Sequence, residues 1–253
     1  MRNLPSGDLN QEWLERARAR GNVYALLALC LYEPSPKLAQ DLRAGSLIAA
    51  FRESLQVLPE AQFFEDKIAA IDKFGEEHRS KNEEDFRSLL STEYTRLFIG
   101  PGHLPCPPYE SVYRVDVPAQ ERGLVMGRVT VDALQRYRQA GLDIASSHKD
   151  LPDHVGTELE FMYFLCQKEA EAWEKSNRQQ ALEWLEMQQE FLKKHLSQWI
   201  PAFSEAVEKA SNVQFYSILA ALVRAYVVLE IDRVDSLVDN LRQTTTKEVQ
   251  PEG

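Results

Sequence analysis

Two stretches of this chain gather side chains that could recognise a partner. Residues 93–114 carry Tyr94, Leu97 and Phe98, then prolines at 101, 105, 107 and 108, and then Tyr109 and Tyr113. Residues 151–165 open with Pro152-Asp153-His154 ahead of an apolar run. Proline holds φ and keeps its predecessor out of the α region, so the first stretch must contain a stiff extended segment. Aromatic side chains on a stiff frame can bind an apolar peptide with little ordering cost. They could equally pack the extended segment onto its neighbours. Asp153 after a proline predicts a helix start with its carboxylate as N-cap. His154, in the first turn, would sit at the positive end of the helix dipole, which favours its neutral form. Between 153 and 174 six acids stand against the single base Lys168. An acidic helix beside an aromatic groove suits a segment that is basic at one end and apolar along its length.

Other chemistries are excluded by their missing signatures. There is no G-x-x-x-x-G-K-[ST] phosphate loop, no G-x-G-x-x-G, no H-E-x-x-H and no G-x-S-x-G. A helical di-iron site needs Glu three residues before His, and none of the histidines at 78, 103, 148, 154 and 195 has one. Cys30, Cys106 and Cys166 are few and widely spaced, which argues against a disulfide framework or a zinc ribbon and for a reducing compartment. The chain of 253 residues has a net charge of −10, which disfavours nucleic acid as a partner. Residues 1–20 lack the apolar core of a secretory signal, and the longest apolar run, 24–32, is too short for a membrane span. The chain therefore reads as a cytoplasmic, soluble protein without stable membrane insertion, and no standard enzyme, cofactor or metal signature is present.

The elements that must position these residues are helices. Apolar residues recur at helical spacing over 12–32, where Pro34 and Pro36 end the helix, and again over 46–57, 60–79 and 82–98. A further helix is predicted over 119–140, closed by Gly141, followed by a polar loop to Pro152. Helices over 154–175 and 178–200 follow, the second closed by Pro201, then a short piece at 202–210 and a long helix over 213–242. Alternation with period two reaches no further than 112–117. The expected fold is all-α: one helical-bundle domain, 1–243, of about nine to ten helices, with a Pro-rich extended central connector and a frayed tail at 244–253.

The two stretches together resemble the TorD/DmsD family of redox-enzyme maturation chaperones, relatives of the NarJ-type chaperones. Leu97-Phe98-Ile99-Gly100-Pro101, Leu104-Pro105, Pro107-Pro108-Tyr109 and Ser111-Val112-Tyr113 are similar to its central motif. Pro152-Asp153-His154 resembles its second motif, and His195, Trp199, Phe203 and Phe215-Tyr216 its C-terminal part. The resemblance implies a cytoplasmic chaperone for the twin-arginine signal peptide, and for the apo form, of a molybdopterin-containing oxidoreductase, delaying export until the cofactor is inserted. It carries a signal-binding groove onto Tyr94, Leu97, Phe98, Pro108, Tyr109, Asp153 and His154. Here tyrosine stands at 94 and 109 where the DmsD branch has tryptophan, and Glu110 where it has glycine. Asp153 is the expected partner of the arginine pair. The alternatives are a nucleotide-binding maturation factor, a metal or cofactor module using Cys106, Cys166 and histidines, and an adaptor for the mature part of the client. A monomer and a dimer with swapped C-terminal halves are both compatible with the stiff connector.

Overall fold

In the computed structural model, residues 6–101, 104–142 and 150–249 are described, without the side chains of 6–8 and 244–249. His103, His148, most of the polar loop after Gly141 and the last four residues of the tail lie outside them. Among the described residues there are eleven α-helices and no strand; Tyr109 and His154 form an isolated antiparallel bridge. The all-α expectation is met.

Helix α1 (Ser6–Leu31) lies along α8 (Val155–Glu174), the most extensive helix pairing in the molecule. Both are core elements, with Tyr24, Leu27, Leu159 and Leu165 fully buried. Beside them α2 (Pro36–Ala44), α3 (Ser46–Leu55), α4 (Glu65–Glu77) and α5 (Glu83–Tyr94) form an N-terminal layer. The C-terminal side consists of α9 (Arg178–Phe191), α10 (Ser197–Ala210) and α11 (Gln214–Val249), with α11 packing on α4, α9 and α10. In the chain between α5 and α8 come the Pro-rich connector, the four-residue α6 (Glu110–Tyr113), which packs on α10, and α7 (Arg128–Gln139), which packs on α6 and places Tyr137 against Phe161 and Phe191.

Several boundaries differ from the sequence expectation for identifiable reasons. Pro34 and Pro36 were expected only to stop a helix. Pro36 instead opens α2 at its first position, with the Ser35 hydroxyl accepting from the Leu38 N–H at 3.1 Å. The predicted 60–79 helix is a 3-10 turn at Ala61–Phe63 followed by α4. The predicted 119–140 helix keeps only α7 and a 3-10 turn at Ala119–Glu121. Gly123 (φ 69°) and Met126 (φ 56°) hold left-handed conformations that no helix continues through. Pro201 does not close a helix; it lies inside α10. A π turn, Leu192–Leu196, precedes it, and side chains satisfy carbonyls of that turn. The Lys193 carbonyl accepts from Ser197 Oγ (3.1 Å) and Gln198 Nε2 (2.7 Å), and the Lys194 carbonyl from Arg114 Nη1 (2.9 Å). Helix α11 continues past Arg242, where the helix was expected to end, to Val249.

By length and composition, residues 214–243 of α11 could cross a membrane, with a mean hydropathy of 1.5 over their most apolar stretch. Half of that stretch is buried in the bundle. Its stripe of Phe215, Leu219, Leu222 and Tyr226 faces the core, so the apolar character serves packing.

A buried ion network ties the bundle across its long helices. Arg20 on α1 reaches Glu230 on α11 (3.0 Å) and Glu169 on α8 (3.0 Å), and it also donates to Gln188 on α9. Gln188 donates to Glu169 at 2.9 Å, and Arg233 joins Glu230 and Glu60. Burial alone would raise the Glu230 pKa, but Arg20 and Arg233 outweigh it and hold the carboxyl below its ordinary range.

Candidate functional site

The two singled-out stretches meet. Helix α5 ends in a π turn, Thr95–Ile99, closed by the Gly100 N–H on the Thr95 carbonyl at 2.7 Å. The connector is then tied back by the Cys106 N–H on the Leu97 carbonyl (3.1 Å). It runs antiparallel to the entry of α8: the Val155 N–H donates to the Pro108 carbonyl and the Glu110 N–H to the Asp153 carbonyl, both at 2.9 Å. The prolines keep the strand-like geometry that these bonds need.

Asp153 was expected to cap α8, and the structure corrects this. His154 is the N-cap, with Nδ1 accepting from the Gly156 N–H at 3.1 Å, a geometry that requires Nδ1 to be unprotonated. Asp153 instead serves the neighbouring helix: its Oδ2 accepts from the Ser111 N–H in the first turn of α6 at 3.2 Å. It is fully buried, and burial raises its pKa. The two motifs are thus joined by backbone bonds and by a carboxylate of one capping a helix of the other.

Most of the predicted groove residues form a floor and not an open surface. Tyr94, Leu97, Phe98, Pro108, Asp153 and His154 are buried, and Tyr109 is half-buried. Tyr94 lies edge-on to Phe98 with ring centres 5.0 Å apart and donates to the Leu31 carbonyl at 3.4 Å. Phe98 continues into Tyr216 and Phe203, and Tyr113 stacks on Trp199. The aromatics therefore pack the extended segment onto the bundle. At the edge three rings stand in a row: Tyr32 stacks on His154 (5.5 Å, 11° between planes), and Tyr109 meets His154 edge-on (5.4 Å).

Behind this row lies a buried polar junction that the sequence reading did not assemble. Glu110 Oε1 pairs with Arg114 (2.5 Å) and Oε2 with His195 Nδ1 (2.8 Å). Trp199 Nε1 donates to Glu158 Oε2 at 2.9 Å, and His195 Nε2 faces Asp132 Oδ2 at 3.2 Å. Burial, then the nearby Glu110 charge, pushes the Glu158 carboxyl well above its ordinary range. A neutral Glu158 can donate to Glu110, and the pair becomes a satisfied hydrogen bond. By composition Glu110, Glu158 and His195 could hold a metal ion; Arg114 already neutralises Glu110 and the indole bonds Glu158 Oε2, while Glu158 Oε1 and His195 Nε2 are buried without a hydrogen-bond partner. The cysteines are no part of this cluster: burial pushes the Cys30 thiol up to about 12 and Cys106 up to about 11, so both stay protonated and poor ligands. The sequence hints of the junction were Glu110, at a place where the DmsD branch has glycine, and His195 and Trp199 in the C-terminal part of the resemblance. Tyr32 was also missed. Its hint was Gly156, at which a Cβ would stand 2.5 Å from the Tyr32 ring.

Residues 46–205 match the profile of the nitrate reductase delta subunit family. The chain belongs to this family. Its matched region takes in both motif stretches, His195 and Trp199. Among its relatives, the chain is 28% identical over 226 residues to the perchlorate reductase assembly chaperone protein of Dechloromonas aromatica, covering 88% of this chain and 93% of that one. It is 25% identical over 222 residues to the chaperone protein TorD of Shewanella pealeana, covering 87% and 91%. It is 29% identical over 141 residues to a protein of Haemophilus influenzae whose name describes a Tat proofreading chaperone, DmsD, covering 55% and 59%. The resemblance to the TorD/DmsD maturation chaperones is therefore a family relationship, and these relatives carry the names of chaperones, not of catalysts.

Proposed function

We propose that this protein is a cytoplasmic, system-specific chaperone for the assembly of a molybdenum oxidoreductase. It binds the twin-arginine signal peptide of the catalytic subunit, and its apo form, until the cofactor is inserted. The observation that carries the reading is the joining of the two family motifs at one edge, where the Pro108–Glu110 backbone pairs with 153–155. The perchlorate reductase and TorD relatives, named as assembly chaperones, support the client class. The relative described as a Tat proofreading chaperone supports the signal peptide.

In this reading Tyr109 and the rim around His154 meet the peptide. Tyr94, Leu97, Phe98 and Pro108 hold the rim in place from below. Asp153, buried and bonded to Ser111, positions α6 and adds negative potential beneath the rim. The arginine pair supplies the charge and the apolar body of the leader the buried area, at about 25 cal/mol per Å². The test compares capture of a molybdenum oxidoreductase client with and without its leader. Capture that requires the leader supports the proposal. Equal capture of both forms overturns the signal-peptide half and leaves an adaptor for the mature enzyme, for which the exposed side chains of Val115, Leu124, Val125 and Met126 offer an apolar surface.

A further inference from the structure

The buried junction behind the ring row holds more donor atoms than its partners use. Glu110, Glu158 and His195 are fully buried and come from three separate places: α6, α8 and the π turn Leu192–Leu196 ahead of α10. One donor atom from each lies within 4.8 Å of the other two. A π turn is a local distortion that recurs where a helix presents a side chain for function.

Each of the three is held from its far side. Arg114 bonds Glu110 Oε1 at 2.5 Å, the Trp199 indole bonds Glu158 Oε2 at 2.9 Å, and Asp132 Oδ2 stands 3.2 Å from His195 Nε2. The atoms left over are Glu110 Oε2, Glu158 Oε1 and His195 Nδ1. Among the described residues no donor reaches Glu158 Oε1; without an ion, only a proton of its own, shared with Glu110, satisfies it. The histidine has a conflict as well. When a neutral ring donates from Nδ1 to Glu110 Oε2 (2.8 Å), its Nε2 lone pair faces the Asp132 carboxylate, and no hydrogen bond forms there. A metal ion on Nδ1 reverses the tautomer and turns an N–H toward Asp132, the pairing with a carboxylate that orients metal-bound imidazoles. Arg114 divides its charge between Glu110 and Asp116, which it bonds twice at 2.6 Å, so the junction keeps an excess of negative charge. Arg114 and Asp132 also line an open cleft of about 460 Å³ with Asp116, Arg128 and Gln135, which gives the junction an entry path.

We propose that Glu110, Glu158 and His195 form a binding site for one divalent ion of the zinc class, reached from the cleft beside Asp132. Two carboxylates and one imidazole suit zinc, whereas calcium requires more oxygen ligands and magnesium keeps its waters. The ion takes the place of the shared proton and ties both motif stretches to the C-terminal part of the bundle. It acts beneath the rim and is independent of what the rim binds.

The test uses the full chain, stripped with EDTA and dialysed, and titrates zinc chloride by calorimetry while melting is followed in parallel. The expected result is one equivalent bound and a raised melting temperature. Glu158→Gln, which keeps an acceptor for the indole, should weaken binding about a hundredfold, and Asp132→Asn, at a half-exposed position, about tenfold. Absence of binding overturns the site. So does an unchanged affinity in Glu158→Gln, which would put the ion on surface acids, or displacement of zinc by equimolar magnesium. Should Glu158→Gln fail to fold, cobalt(II) chloride added to the wild type decides. Intense visible bands of four- or five-coordinate cobalt, diminished in Asp132→Asn, uphold the site, and the faint spectrum of six-coordinate cobalt overturns it. No leader peptide enters these measurements, so the chaperone reading stands or falls separately.

Discussion

At the scale of residues, the site depends on carboxyl groups placed where water cannot reach them. Glu158 shows the consequence for pH. Its folded-state pKa lies above the ordinary carboxylate value, so folding takes up a proton. The stability available below the unfolded pKa of about 4.3 must therefore decline as pH rises toward the folded value. Asp153 and Glu169, also raised by burial, act in the same direction. Glu158→Gln keeps an acceptor for the Trp199 indole and supplies a permanent donor toward Glu110. It should raise the melting temperature at pH 8 relative to pH 5 and flatten the profile between them, as measured by calorimetry. A wild-type-like slope would show that Glu158 is ionised in the fold. Gly156→Ala tests the ring row: the new methyl must push Tyr32 off His154. Leader affinity should fall while the melting temperature changes by only a few degrees, because a half-exposed ring can move aside. The sequence pointed to Asp153 and His154 but assigned the cap to Asp153, where the structure gives it to His154. A one-dimensional motif shows a polar residue after proline as a cap, and only the pairing of 108–110 with 153–155 reveals that Asp153 faces a different helix.

At the scale of elements, legibility followed periodicity and failed at irregular backbone. The predicted 154–175 helix differs from α8 by one residue at each end, because its apolar positions repeat cleanly and a polar residue caps it. Helix α2 was invisible because two prolines looked like a stop, although Ser35-Pro36 is equally a start. The continuation through Pro201 needed the π turn before it and donors from Ser197, Gln198 and Arg114, and no local pattern announces those contacts. The crossing of α2 and α4 provides a test at this scale. A Cβ on Gly75 would lie 2.3 Å from the Leu42 carbonyl oxygen, a backbone atom that cannot turn away. Gly75→Ala should separate the two helices and cost about 1–3 kcal/mol in urea unfolding, in spite of the better helix propensity of alanine. A neutral or stabilising effect would show that the crossing adapts.

At the scale of the whole molecule, the Arg20 network holds four helices from distant parts of the chain. Arg20→Leu leaves Glu169 and Glu230 buried without their common partner and should destabilise the protein by about 3–5 kcal/mol. Leucine at 20, 169 and 230 together should recover part of that loss, since three buried charges go while Arg233 keeps Glu60 as its partner. Failure of the triple variant to recover would mean that the network sets the helix register as well as neutralising charge. The pairing of α1 with α8 has a consequence for biosynthesis. Helix α1 is made early, but the surface that covers its apolar face is encoded some 130 residues later, and Glu230 later still. On a ribosome adding residues at about 5–20 per second, α1 therefore waits several seconds or more with Tyr24 and Leu27 uncovered. A chaperone of this architecture would itself pass through an aggregation-prone interval during its own translation. The order of its helices makes the completed C-terminal half a precondition for a settled N-terminal one.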